Sequence, residues 1–240
     1  MAKSGTARAE RSEREQRLAA MRRAQEGKER RRRLALVIAA GALALALVAT
    51  VVVVIVRQQR AQDPANIGLS ASEASCQPVE TVPATGVAQH IGPGTDSPDT
   101  LTVEYDRVPA VSGQHFAQPA YPAAPFYTAE DRPPVEQLVH NLEHGYTIAW
   151  YTAALPQEQV TDLQAAAEAM RRDEATQRGK FIAAPWDEAR GPLPGDATVA
   201  LAHWGAEEGA LQYCGGVSGQ VFEDFVAAHP ANDSPEPNAA

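Results

Sequence analysis

Residues 133–151 read PPVEQLVHNLEHGYTIAWY, and the fold is decided there. Two prolines suit a helix start and Gly145 its C-terminal exit, which leaves room for about three turns between them. At about 100° per residue, Val135, Leu138, Val139 and Leu142 fall on one narrow stripe. His140 and His144 then fall on the opposite face, one turn apart, with Glu143 beside them. Residues 146–151 (YTIAWY) are rich in β-branched and aromatic types, so the helix hands over to a strand.

The same alternation of periods continues outward. Residues 156–172 open with a proline and continue with strong helix formers, which predicts an amphipathic helix. Strands are expected over 101–105 (LTVEY), 180–184 and 198–204, the last two separated by the breaker cluster Gly191-Pro192-Leu193-Pro194-Gly195. A final helix over 218–228 takes Ser218 as its cap and buries Val221, Phe222, Phe225 and Val226. The expected class is α+β: a small mixed sheet with two or three helices and a long Pro/Gly-rich loop over 106–134. Long loops in compact domains often carry function. Tyr121, Phe126, Tyr127, Trp150 and Trp186 read as core, because large aromatics supply buried area.

Ahead of this domain, residues 34–56 (LALVIAAGALALALVATVVVVIV) hold only aliphatic residues plus Gly41 and Thr50. At about 1.5 Å per residue they span roughly 34 Å, enough for a hydrocarbon core of about 30 Å. A cleaved signal peptide would have a shorter apolar run and a small-residue cleavage site, whereas the flank here is Arg57-Gln58-Gln59-Arg60. Cys76 lies too far downstream for a lipoprotein cysteine. The segment therefore reads as an uncleaved transmembrane signal anchor.

Charge orients it. Residues 1–33 carry 12 Lys+Arg against 5 Glu, with Arg30, Arg31, Arg32 and Arg33 against the apolar run, so the positive-inside rule puts the N-terminus in the cytoplasm. Subtraction from the whole chain leaves 21 − 12 = 9 basic and 30 − 5 = 25 acidic residues over 57–240, a net −16 outside. Such a domain excludes nucleic acid as a partner, since phosphates demand a basic surface. The basic segment lacks interleaved aromatics, and residues 30–33 suit anionic lipid heads instead. The lipid bilayer is thus the expected partner, and the location is the cell membrane, single-pass, with the C-terminal domain extracytoplasmic.

Cys76 and Cys214 both fall on the outer side, where disulfides persist, and no Cys-x-x-Cys suggests a thiolate metal site. They are expected to pair. The organisation then reads 1–33 cytoplasmic basic segment, 34–56 transmembrane helix, 57–75 polar stalk, 76–229 extracytoplasmic domain and 230–240 disordered tail. No internal repeat occurs.

Histidines four residues apart on a helix point the same way, as a metal needs from one helical turn. His115, in the preceding loop, is the first choice for a third ligand beside His140 and His144. Glu143 is a further ligand or a general base, and His90 a weaker candidate. Against this stands a plainer account: histidines near a helix C-terminus are favoured by the helix dipole and need no function. His203 and His229 read as surface or packing residues.

The segment 138–151 (LVHNLEHGYTIAWY), preceded by Ser112-Gly113-Gln114-His115 and followed by His203-Trp204-Gly205, resembles a bacterial family of membrane-anchored proteins catalogued as domain of unknown function 3105. The likeness covers most of 86–229. It maps the family's Ser-Gly-x-His and His-Asn-Leu-Glu-His-Gly strings onto His115, His140, Asn141, Glu143, His144 and Gly145. Where the family often has two prolines before Ser-Gly-x-His, this chain has Val108-Pro109-Ala110-Val111. The family has no assigned activity, so the resemblance supports a polar site without naming its task.

Three functions compete. The first is a binding module holding a divalent transition metal, Cu or Zn, through His115, His140 and His144; three methionines in the whole chain argue against a Met-rich Cu(I) carrier. The second is a zinc hydrolase, because His140-Asn141-Leu142-Glu143-His144 spells H-x-x-E-H, with Glu143 as catalytic base and Glu223 as a downstream ligand. The third is a non-enzymatic cell-envelope interaction module in which the histidines only hold the proline-rich loop.

Overall fold

A computed structural model describes residues 3–172 and 179–239. The chain divides into two compact units, 1–59 and 60–240. The first is helical: α1 (Lys3–Gln62) contains a stretch, Met21–Ile55, long and apolar enough to cross a membrane. Its large apolar side chains from Leu34 to Ile55 are exposed.

The second unit is α+β, built on a five-stranded mixed sheet in the order β1 (Glu80–Pro83), β7 (Glu208–Cys214), β6 (Val199–Trp204), β4 (Thr147–Tyr151), β5 (Phe181–Pro185). β4 and β5 run parallel, joined by the crossover helix α3 (Gln157–Arg172), and the other pairs are antiparallel. Every residue of β4 (TIAWY) and β6 (VALAHW) is buried, because both faces of these central strands are covered. On one face Ile148, Trp150, Ala202 and Trp204 meet the apolar stripe of α2 (Val135–Glu143) and the loop residues Ala110, Val111 and Tyr127. On the other, Phe181, Leu201 and Ala210 meet α3 and the last helix, α4 (Gly219–Ala228). The four α2 residues Val135, Leu138, Val139 and Leu142 are at most 1% exposed, a burial contributing about 6–12 kcal/mol before entropy is subtracted.

Four expectations need correction in whole or in part. Residues 101–105 are not a strand; Val103 N–H donates instead to the Glu136 carboxylate, and the segment crosses the surface as loop. Ser218 is the N-cap residue of α4, as expected, but its side chain makes no cap bond and its hydroxyl is buried without a hydrogen-bond partner. The stalk is folded from residue 63 on: Asp63 caps a 3-10 turn at Pro64–Asn66, Leu69 N–H donates to Val217 O, and Gly219 N–H to Ile67 O. Gly219 permits this approach, since a Cβ there would collide with Pro64 O. The tail is likewise packed, with Ala231 and Ser234 buried, Ala206 N–H bound to Asp233 O at 2.6 Å and Glu236 N–H to Glu143 O at 3.0 Å. In both segments backbone hydrogen bonds do the holding, and hydropathy carries no record of them.

A Cys76–Cys214 disulfide ties the end of β7 to the segment that follows the 3-10 turn, across 138 residues of sequence. Strands β1 and β7 and the two-residue pair β2 (His90–Ile91) and β3 (His115–Phe116) were not foreseen. Of the five aromatics read as core, Tyr127, Trp150 and Trp186 are buried and Phe126 is half-buried, whereas Tyr121 is 70% exposed.

Candidate metal centre

Helix α2 is buried on its polar side as well as its apolar one. Glu136, His140, Asn141 and Glu143 all face protein, each with a partner that fixes it. Glu136 binds Arg190 at 2.7 Å and Val103 N–H at 2.9 Å. Asn141 accepts from Ala120 N–H at 2.9 Å and donates to Ala120 O at 3.0 Å, pairing with the loop as another backbone would. The loop so clamped is the one that carries His115.

Strands β2 and β3 pair in parallel with His90 directly opposite His115. This places both imidazoles against His140 and Glu143, and one nitrogen or oxygen from each of the four lies within 4.8 Å of all the others. The group could hold a metal ion. Ligand atoms arranged tetrahedrally around zinc at about 2.1 Å lie about 3.4 Å apart, so modest contraction closes the group on an ion.

The hydrogen bonds fix which atoms point inward. His115 Nδ1 lies 2.7 Å from Gly113 O, and His140 Nδ1 lies 2.5 Å from Phe116 O. A carbonyl only accepts, so both Nδ1 atoms carry a proton. A backbone carbonyl holding the far ring nitrogen is the usual support of a metal-binding histidine. Burial, aided by the neighbouring His115 and His144, lowers the His140 pKa to about 4 despite the Phe116 carbonyl, so its ring is neutral at physiological pH.

Glu143 spends Oε1 on Ala88 N–H at 2.6 Å. Its Oε2 is 2.9 Å from His115 Nε2, both side chains being wholly buried. That contact is short but misdirected, for neither atom makes a hydrogen bond, and His90 Nε2 is equally buried and unpartnered. Burial alone would raise the Glu143 pKa; the His115 ring and the Ala88 N–H outweigh it, and the carboxyl stays below its ordinary value. Trp204 closes the apolar side of the group, its ring 5.6 Å from that of His115.

His144 stands outside the four. It follows α2 as its C-cap, and its Nε2 lies 2.9 Å from His140 Nε2 and 3.4 Å from Glu236 Oε2. Glu143 is thus among the prospective ligands and His144 beyond them, the reverse of the roles that H-x-x-E-H assigns. Gly145 has φ +87°, and a Cβ there would run into Ala231 O, so the glycine lets the tail lie over the end of α2. His203 is buried on the far side of β6 from Trp204, and His229 caps α4; neither joins the group.

Residues 97–240 match the family described as Protein of unknown function (DUF3105). The chain belongs to this family. No curated protein and no solved structure matches it. The DUF3105 match takes in His115, His140 and Glu143 but begins seven residues after His90 (97 − 90), so one of the four side chains comes from outside the matched region. The HNLEHG string joins structure to chemistry: Asn141 clamps the loop, His140 and Glu143 face the group, and Gly145 admits the tail. His90 is tied to the others by a strand register across 25 residues of sequence (115 − 90), which leaves no local periodicity in the chain.

Proposed function

We propose that this protein is a single-pass membrane anchor carrying an extracytoplasmic domain that binds one divalent transition metal through His90, His115, His140 and Glu143. The observation that carries the metal reading is the set of buried, unpartnered atoms His90 Nε2, His115 Nε2 and Glu143 Oε2 converging beside the neutral His140. Leaving each such atom unpaired costs about 1–3 kcal/mol, and a shared cation removes the cost. Three imidazoles and a carboxylate, with no thiolate, suit Zn(II) or Cu(II). The apolar stretch of α1, its basic flank at 30–33 and the Cys76–Cys214 disulfide support the anchored, outward-facing reading.

The test is metal content of the full chain purified in detergent and dialysed against Zn(II) or Cu(II). One ion per chain is expected, lost in His115→Gln and His140→Gln, with nitrogen hyperfine couplings from three imidazoles in the Cu(II) electron paramagnetic spectrum. Equal, negligible metal in all three proteins would leave the histidines only the task of holding the loop. For topology, external protease should degrade the domain on intact cells, and its protection there would reverse the assigned orientation.

A further inference from the structure

The His115 and Glu143 side chains are wholly buried, and His90, half-buried as a residue, keeps its Nε2 out of solvent. At the edge of the four-residue group, however, three polar atoms form a series leading outward. His140 Nε2 lies 2.9 Å from His144 Nε2, which lies 3.4 Å from Glu236 Oε2. Exposure rises along the series: the His144 side chain is 8% exposed and that of Glu236 43%. The His140 and His144 rings meet edge to face, 4.5 Å between centroids.

Glu236 is held at this position by the packed tail. Its N–H donates to Glu143 O at 3.0 Å, and Lys180 Nζ, itself buried, gathers His144 O at 2.6 Å, Pro237 O at 3.1 Å and Ala239 O at 2.9 Å. The tail carbonyls and the C-terminus of α2 are thus bound to one ammonium, and the carboxylate is fixed beside His144.

Because His140 Nδ1–H is committed to Phe116 O, its Nε2 accepts from His144 Nε2–H at 2.9 Å, and a cation binding at that His144 nitrogen displaces its proton to the second ring nitrogen or to solvent. A hydrated cation captured by Glu236 and His144 would sit one ligand exchange from His140 Nε2. Passing ligand by ligand lets the ion shed its waters singly rather than all at once. The nearby hollow of about 210 Å³, lined by Ile91, Pro93, Phe116, Ala117, Gln118 and Gln137, has no charged side chain to attract a cation.

We propose that His144 and Glu236 form an outer, weak divalent-cation site that hands the ion to His140 and so to the buried group; this rests on the metal-binding reading above. An ion-transfer site changes rates and not the equilibrium, since it lowers the barrier to entering and leaving alike.

The experiment mixes metal-free full chain in detergent with Cu(II) in stopped flow and follows quenching of tryptophan fluorescence, with Trp204 standing against His115 as reporter. Release is followed separately into excess chelator. Glu236→Gln, which keeps the shape, is expected to slow uptake about tenfold and release by the same factor, at unchanged final occupancy. Glu158→Gln, a remote exposed carboxylate on α3, is expected to leave both rates unchanged. Wild-type rates in Glu236→Gln, or an equal slowing in Glu158→Gln, overturns the proposal while leaving the buried centre standing. Reduced occupancy at unchanged uptake does so too, since Glu236 would then act as a ligand. No uptake by the wild type removes the buried centre and the outer site together.

Discussion

Replacing Glu143 by Gln separates a metal ligand from an ordinary ion-pair partner by the sign of its effect. Glu143 Oε1 accepts from Ala88 N–H at 2.6 Å, while Oε2 faces His115 Nε2 at 2.9 Å with no hydrogen bond between them. His115 Nδ1–H is committed to Gly113 O, and Nε2 and Oε2 face each other without a directed hydrogen bond. A glutamine keeps the bond to Ala88 through its carbonyl and turns an N–H towards His115 Nε2, satisfying two buried atoms. The metal-free variant should gain about 1–3 kcal/mol, a rise in Tm of roughly 2–12 °C at 2–4 °C per kcal/mol. With metal that advantage falls by about 2.3 kcal/mol. At a hundred times its Kd an ion stabilises the wild type by about 2.7 kcal/mol, most of which the variant forfeits once its affinity falls about a hundredfold. The assay is thermal unfolding of the full chain in detergent, first with chelator and then with Zn(II). A variant destabilised by roughly 3 kcal/mol or more in chelator, with a metal response equal to that of the wild type, would refute the reasoning; it would make Glu143 the partner of a protonated His115 in a buried ion pair.

Other consequences follow from the packing around the centre. Cys76→Ser with Cys214→Ser opens a link across 138 residues, and urea unfolding should register a loss approaching about 5 kcal/mol, the loop-entropy value. His203 is buried, and burial together with the nearby His229 lowers its pKa to about 4. The folded chain then binds fewer protons than the unfolded one between pH 6.5 and 4, so His203 contributes a loss of stability that grows as pH falls through this window, reaching about 3 kcal/mol; pH-dependent denaturation of His203→Gln should show a shallower decline. Gly145→Ala meets Ala231 O and a φ of +87° together, and should cost about 1 kcal/mol or more and raise amide hydrogen exchange over 231–239.

How much of this was legible depends on what kind of contact each element makes. The helix of 133–145, the strand after it, the helix of 156–172 and the strands near 180 and 198 followed from periodicity, because each buries a continuous apolar stripe or run. Strand β7 (EGALQYC) leaves no such signal: Gly209 and Gln212 break the pattern, and its burial is owed to neighbours on either side. The folded stalk and tail leave none for a different reason, being bound by backbone groups that every sequence possesses.

The sequence by itself determined the apolar segment ahead of an acidic domain, the α+β class, the family, and the placing of His140 and Glu143 on the polar side of one short helix. These are properties of composition and local period, set by residues adjacent in the chain. Only the tertiary structure decided which side chains share a centre. It brought in His90 through its register with His115, moved Glu143 into the group and His144 to its edge, and laid Glu236 beside His144. Such choices rest on pairing distances across tens of residues, where one register step or one glycine determines which rings meet, and no local pattern in the chain encodes that.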